Sequence, residues 1–357
     1  MDTHQHICHL MDQCVHLGAS DLHISVGLSA IYRIKGAITP VDDLTFSAEQ
    51  VQSMAESLMN NFQRDYFNEH MTLDMGFSSK QGMRFRVNVY REMGRCALAI
   101  RYLDGNLKTI EELGLPAQIK FLTQLKSGLV LVCGATGSGK STTLTSMINE
   151  INQKQKKHIL TVEDPVEFVH CNAQSIVHQR ELYTDVPDFA SAVKAAMRED
   201  PDVVMVGEMR DLETMRAALT AAETGHLVFS TLHTNDAVGV VERLIGSFPG
   251  DEQSVARDRI AHALKSVIAQ NLIVSMDGTK RVVVAEILMV TNAVANLIES
   301  GKSKQIYSVM ESGAQQGMQT LDQALARLVL SQQISLQTGR SMCRDAPGFD
   351  ALLRSIR

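Results

Sequence analysis

Read for hydrophobic and polar spacing, the chain changes rhythm near Leu129. Before it, short segments of mixed period follow one another. Ile7, Leu10, Met11, Cys14 and Leu17 recur at helical spacing and predict an amphipathic helix over roughly the first seventeen residues. Residues 21–26 and 30–35 are short apolar and β-branched alternations and predict strands. Ser47, with Glu49 and Gln50 close behind, caps a predicted helix that runs to Asn61. In Arg84-Phe85-Arg86-Val87-Asn88-Val89-Tyr90, apolar residues alternate with basic or polar ones, so a strand there turns one face to a core and arginines to the other. A second such strand is predicted over 96–103, ending in the turn signal Asp104-Gly105-Asn106.

From Leu129 onward, apolar runs alternate with helical stretches. Residues 129–133, 158–162, 203–206 and 227–231 predict strands buried on both faces, as in a mainly parallel sheet covered by helices. Beyond Asp236 the pattern predicts mostly helix, over 237–245, 251–273, 291–300 and 321–331. The fold class expected is α/β: a small α+β domain over 1–105, a linker over 106–115, and a larger α/β domain with a helical C-terminal part over 116–357. No internal repeat or low-complexity segment interrupts this.

Composition narrows the function classes. The chain has 357 residues and a formal net charge of −6, so no global basic excess points to nucleic acid. Tryptophan is absent, which removes the best base-stacking side chain. The six cysteines include no C-x-x-C pair, so neither a zinc ribbon nor a redox motif is supported. His4, His6, Cys8, His9, Cys14 and His16 near the start fall short of a complete zinc signature, and a polar helix face is the preferred reading. The N-terminus lacks the basic start and apolar run of a signal peptide, and no apolar run is long enough to span a bilayer. A soluble, cytoplasmic protein is expected.

The chemistry-bearing motifs begin where the rhythm changes. Gly134-Ala135-Thr136-Gly137-Ser138-Gly139-Lys140-Ser141, followed by Thr142, fits G-x-x-x-x-G-K-[ST] between a predicted strand and a predicted helix. Glycines let a backbone wrap closely around phosphate, and the following helix N-terminus attracts anions. Lys140 is placed for the β- and γ-phosphates and Ser141 for Mg²⁺, so ATP with Mg²⁺ is the expected ligand. The alternative, a glycine-rich turn without a ligand, has the flanking strand and helix against it. Residues 202–208 read DVVMVGE, a strand closed by an acid, and this is the Walker B candidate, with Glu208 the key carboxylate. Glu163, in TVEDPVE, and His233, in FSTLHT, end two further predicted strands. Open α/β sheets bind ligands at the carboxyl ends of their strands, which favours functional roles over an N-cap or a structural histidine.

GATGSGKST, HILTVEDPVEF and DPDVVMVGEMRDLETMRAALTAAETGHLVFSTLHTNDA, in that order, resemble the Walker A, Asp box, Walker B and His box of the secretion-superfamily ATPases. GASDLHISVG near the start and GMQTLDQAL near the end resemble the type IV pilus retraction ATPases, the PilT family. The resemblance runs from about Leu17 to about Ser335. It implies a hexameric ring whose subunits join a PAS-like N-terminal domain to a RecA-like P-loop ATPase domain, with ATP bound between the two and neighbouring subunits contributing. By matching motif it implies that Glu163 positions or activates the attacking water, that Glu208 is the essential acid, directly or through water at Mg²⁺, and that His233 responds to nucleotide state. It further implies that arginines of the N-terminal domain reach the phosphates. Arg86 and Arg101 are the candidates, Arg84 and Arg95 the rivals, and a solvated strand face is the competing reading of each.

The implied partners are an inner-membrane pilus platform protein and a paralogous retraction ATPase, with no nucleic acid; membrane association would be peripheral. One segment departs from the family. Where retraction ATPases carry an arginine-containing AIRNLIREGK-like sequence, residues 293–302 read AVANLIESGK. The tetracysteine site of assembly ATPases is absent, which favours the retraction branch. A secretion or assembly ATPase, and a nucleotide-binding scaffold with little turnover, are the alternatives; a DNA translocase is disfavoured by the acidic charge.

Overall fold

The computed structural model describes residues 2–41 and 43–355. They form two compact units. The first holds the described residues up to Asn106 together with Val162–His170 and Gln179–Ala192; the second holds Leu107–Thr161, Cys171–His178 and the chain from Val193 onward.

The first unit opens with helix α1 (Thr3–His16), followed by strands β1 (Ala19–Ile24), β2 (Ile31–Ile34) and β3 (Ala37–Pro40). Helices α2 (Ala48–Leu58) and α3 (Asn61–His70) come next, then β4 (Thr72–Ser78), β5 (Arg84–Glu92) and β6 (Arg95–Leu103). The six strands form an antiparallel sheet ordered β3-β2-β1-β6-β5-β4. Ile7, Leu10, Met11 and Cys14 of α1 are buried, and they belong to one core with Phe85, Val87 and Val89 of β5 and Leu98 and Ile100 of β6. Ser47 caps α2 through a reciprocal box with Gln50, as its position predicts. The helix predicted to reach Asn61 stops at Leu58. A second box, Asn60 with Gln63, takes up the free amides of a new helix, so a cap inside the polar stretch overrides helical continuity.

In the second unit, α4 (Gln118–Leu122) precedes β7 (Gly128–Cys133) and α5 (Lys140–Lys154). There follow β8 (His158–Glu163), β9 (Ile176–Glu181) and α6 (Phe189–Ala196), whose residues 162–163, 179–181 and 189–192 belong to the first unit, and then β10 (Val203–Val206), α7 (Leu212–Glu223), β11 (Leu227–Leu232), α8 (Ala237–Gly246) and α9 (Gln253–Ala263). The chain closes with β12 (Leu264–Val274), β13 (Arg281–Met289), α10 (Asn292–Glu299), α11 (Ile306–Ser312), α12 (Leu321–Leu330), α13 (Leu336–Met342) and α14 (Ala346–Ser355). The sheet order is β13-β12-β7-β11-β10-β8-β9. β10 with β11, β11 with β7 and β7 with β12 pair in parallel, while β12 and β13 pair antiparallel. β7, β10 and β11 are buried along their whole length, the pattern expected of strands covered on both faces.

Leu144, Met147, Ile148 and Ile151 of α5 pack into one cluster with Val130, Val132, Met205 and Phe229 of the sheet. Each such side chain contributes about 1.5–3 kcal/mol by leaving water. The fold is α/β, as expected, with a second correction to the predicted elements. The helix predicted over 251–273 ends at Ala263, and residues 264–274 form the long strand β12. An apolar run buried on both faces satisfies either period, and Val267, Ile268, Ile273 and Val274 tip it toward a strand once β7 and β13 offer hydrogen bonds on both sides. No helix among the described residues is long and apolar enough to cross a membrane.

Candidate active site

The glycine-rich loop links β7 to α5. Parallel register places Cys133, the last residue of β7, beside Leu232, the last of β11, and aligns Val206 of β10 with Ser230. The loop, Gly207-Glu208 and His233 therefore all leave the same edge of the sheet, its carboxyl edge.

Within the loop, Gly134 has φ +143° and Gly139 φ +89°, values that side-chain-bearing residues rarely adopt. Space forbids a side chain as well. A Cβ at Gly134 would run into the Gln270 carbonyl and lie 2.7 Å from Ser138 Oγ, and one at Gly139 would lie 2.8 Å from Gln270 Nε2. Ala135, Thr136 and Gly137 are exposed at the crest, while Ser138 and Lys140 are buried. The Lys140 ammonium donates to the carbonyls of Gly134 and Ala135, both at 3.0 Å. Burial pulls it below the usual lysine range, and the negative charge of Glu208 opposes that pull. Helix α5 begins at Lys140, so the amides of its first turn have no intrahelical acceptor and face the loop.

Glu208 is largely buried and pairs with Arg210 on one carboxylate oxygen; on the other it meets His233 Nε2 at 3.3 Å. The Thr231 hydroxyl donates to the Gly207 carbonyl at 2.7 Å, and Met209 N–H donates to the Thr231 carbonyl at 3.2 Å. These bonds lock the turn that carries Glu208 against β11, so the two motifs, distant in sequence, converge.

Glu163, Arg86 and Arg101 belong to the first unit. Glu163 ends β8, is buried, and accepts a hydrogen bond from Gln179 Nε2 at 3.1 Å. The same amide donates to the Phe168 carbonyl at 2.8 Å and accepts from His170 N–H at 2.7 Å. Arg86 and Arg101 are direct cross-strand partners on β5 and β6. Like charges in that position repel, and acids offset the repulsion. Arg86 binds both carboxylate oxygens of Asp74, with Glu167 3.5 Å away, and its pKa is raised, first by the hydrogen bond to Asp74. Arg101 donates to Asp21 at 2.8 Å. Against the upward push of burial, hydrogen bonds from Ser20 and Arg101 hold the Asp21 carboxyl below the usual carboxylate range.

Of the rivals, Arg95 starts β6 and is exposed. Arg84 is committed elsewhere. It pairs with buried Glu181 and donates to the Val166 carbonyl at 3.0 Å, while Glu181 also accepts from Gly76 N–H at 2.9 Å and Val166 N–H at 3.1 Å. At the N-terminus, His4 contacts the Ser57 carbonyl at 3.1 Å and Cys8 Sγ at 3.7 Å, and the histidines and cysteines of α1 are not gathered into a metal cluster among the described residues.

Gln270, Gln179 and Glu181 were not singled out by the motifs. A signal existed for the first, an amide inside an otherwise apolar run, but the helix reading of that run hid it.

A glycine-rich loop of the P-loop pattern beside an acid and a histidine, at the carboxyl edge of a mainly parallel sheet, defines an α/β P-loop nucleotide hydrolase. A family model described as type II/IV secretion system protein matches residues 3–280. The Pseudomonas aeruginosa protein named type IV pilus retractation ATPase PilT is 42% identical over 332 residues, 93% of this chain and 96% of that one. A Neisseria gonorrhoeae twitching motility protein is 44% identical over 88% of this chain and 84% of its own. Among solved structures, the pilus retraction motor PilT with bound ADP superposes with a TM-score of 0.86 at 40% identity, covering 97% of this chain and 99% of that one. The Legionella pneumophila ATPase DotB reaches 0.85 at 27% identity, covering 93% of each chain. The chain belongs to the type II/IV secretion system protein family and, within it, to the PilT family of type IV pilus retraction ATPases.

Proposed function

We propose that this chain hydrolyses ATP as one subunit of a homo-hexameric cytoplasmic motor that powers type IV pilus retraction. The observation that carries the reading is the convergence of Lys140, Glu208 and His233 on one sheet edge, in a chain 42% identical to a named retraction ATPase. In this reading residues 1–105 are a PAS-like domain, 106–115 a linker, and 116–357 a RecA-like ATPase domain. The load is a platform protein of the inner membrane, and a paralogous ATPase works alongside; a P. aeruginosa PilU, named type IV pilus ATPase, is 38% identical.

The chemistry follows from the residues. The amides from Gly137 to Thr142 and the Lys140 ammonium bind the phosphates, and Gly134 and Gly139 leave room for the backbone to approach them. The Ser141 hydroxyl, and the Glu208 carboxylate directly or through water, are hard oxygen donors of the kind that would hold magnesium. Bound magnesium would supply charge neutralisation on the phosphates. Glu208 also orients His233, which exchanges its bond to the carboxylate for one to the terminal phosphate and so reports nucleotide state. Glu163, its carboxylate held by Gln179, positions and deprotonates the attacking water. Arg86 and Arg101 stabilise charge on the phosphates after leaving Asp74 and Asp21.

The test is steady-state phosphate release by the purified hexamer with magnesium. Lys140→Ala is expected to lose nucleotide binding, and Glu208→Ala to keep ATP yet lose turnover. Wild-type turnover in Glu208→Ala would remove that acid from its role. Tight ATP binding by the wild type without turnover would favour a scaffold instead, and the direction of fibre movement in a deletion strain separates retraction from assembly.

A further inference from the structure

Gln270 lies on β12, one residue beyond Ala269, which pairs with Cys133 at the end of β7. It is 1% exposed. Its Nε2 donates to the Ser138 carbonyl at 2.7 Å, and its Oε1 accepts from the Thr143 hydroxyl at 2.7 Å. The amide cannot be turned around, because a flipped oxygen would face the lone pairs of the Ser138 carbonyl. One side chain thus ties the rear of the glycine-rich loop to the first turn of α5.

The tie has a direction. A trans peptide is planar, with its C=O and N–H pointing opposite ways. Pulling the Ser138 carbonyl toward β12 aims the Gly139 N–H away from β12. The packing is close enough to hold that orientation: Gly139 has no room for a Cβ because Gln270 Nε2 stands where it would go, and the Gln270 carbonyl closes the same space behind Gly134. We infer that Gln270 is a positioning residue for ATP hydrolysis, holding the Ser138–Gly139 peptide so that the Gly139 amide is presented to a nucleotide phosphate. The inference deepens the proposed function and rests on its P-loop assignment.

Two variants of the full chain test it, with KM for magnesium-ATP and kcat measured across pH and the unfolding temperature measured without nucleotide. Gln270→Leu leaves the Ser138 carbonyl without its donor and is expected to raise KM about tenfold or more, with a smaller change in kcat. Gln270→Glu keeps the shape, and its new group donates only while protonated. Its KM relative to that of the wild type at the same pH is therefore expected to become pH-dependent, low when the carboxyl is protonated and high when it is ionised. A purely structural role would lower the unfolding temperature and leave KM and its pH profile unchanged in the folded enzyme. That result, or a wild-type KM in both variants, overturns the inference. Lys140→Ala is the control: if it still binds ATP, the P-loop assignment fails as well, whereas loss of binding there beside unchanged KM in both Gln270 variants sinks the Gln270 inference alone.

Discussion

Removing the Glu181 carboxylate is expected to loosen the segment that follows Glu163 at the end of β8. Glu181 is 5% exposed and gathers donors from three parts of the first unit: Gly76 N–H on β4, Arg84 on β5 and Val166 N–H in the segment after β8, with the Thr184 hydroxyl at 3.2 Å. Arg84 returns a bond to the Val166 carbonyl, so both backbone groups of Val166 are held by this ion pair. Glu181→Leu strands a mostly buried guanidinium and two amides at once. Breaking a buried pair from one side costs about 3–5 kcal/mol. The orphaned amides, at about 1–3 kcal/mol each when fully buried, overlap with that figure because the segment relaxes toward water.

Hydrogen exchange is the suitable assay, since a chain of two units has no single unfolding free energy. Exchange at Gly76 and Val166 is expected to speed up by about a hundredfold or more in Glu181→Leu. Arg84→Met combined with Glu181→Leu is expected to recover part of the loss, because no unpaired charge remains. Unchanged exchange at both amides in Glu181→Leu, or strictly additive losses in the double variant, would refute the argument.

Two other outcomes are expected. Gly134→Ala forces a methyl into the Gln270 carbonyl at a φ of +143°, so a titration with fluorescent nucleotide is expected to show binding severely weakened; near wild-type affinity would contradict the cradle geometry. His170 is buried with Nδ1 unpartnered, and desolvation pulls its pKa down to about 4 from the ordinary 6.5. The unfolded chain therefore takes up the proton first. No penalty exists above pH 6.5, stability is lost as pH falls from 6.5 to 4, and the loss totals about 3 kcal/mol by linkage. Acid unfolding of His170→Leu is expected to lack this component, and identical pH profiles for the two proteins would disprove it.

Local chemistry was legible in the residues themselves. The glycine-rich loop declares itself because only glycine tolerates such backbone, and Ser47 declares its helix because a cap acts within one turn. The alternation through Arg84–Tyr90 showed that arginines would line one face of β5, but not which acids would meet them. That depended on β4 and β1 arriving beside β5 and β6 and bringing Asp74 and Asp21. Arg84 shows the limit most sharply, since from its spacing it is equivalent to Arg86, and yet Glu181, nearly a hundred positions away, commits it to holding Val166.

By itself the sequence determined the α/β class and the strand–loop–helix around the glycine-rich loop, and marked Glu163, Glu208 and His233 as candidates at strand ends, because periodicity and turn chemistry operate over a few residues. Tertiary structure alone decided that residues 264–274 are a strand, that Gln270 backs the loop, and which carboxylate each arginine meets. An apolar run suits helix and strand alike until its neighbours are in place, and a hydrogen bond across the fold leaves no trace in local spacing.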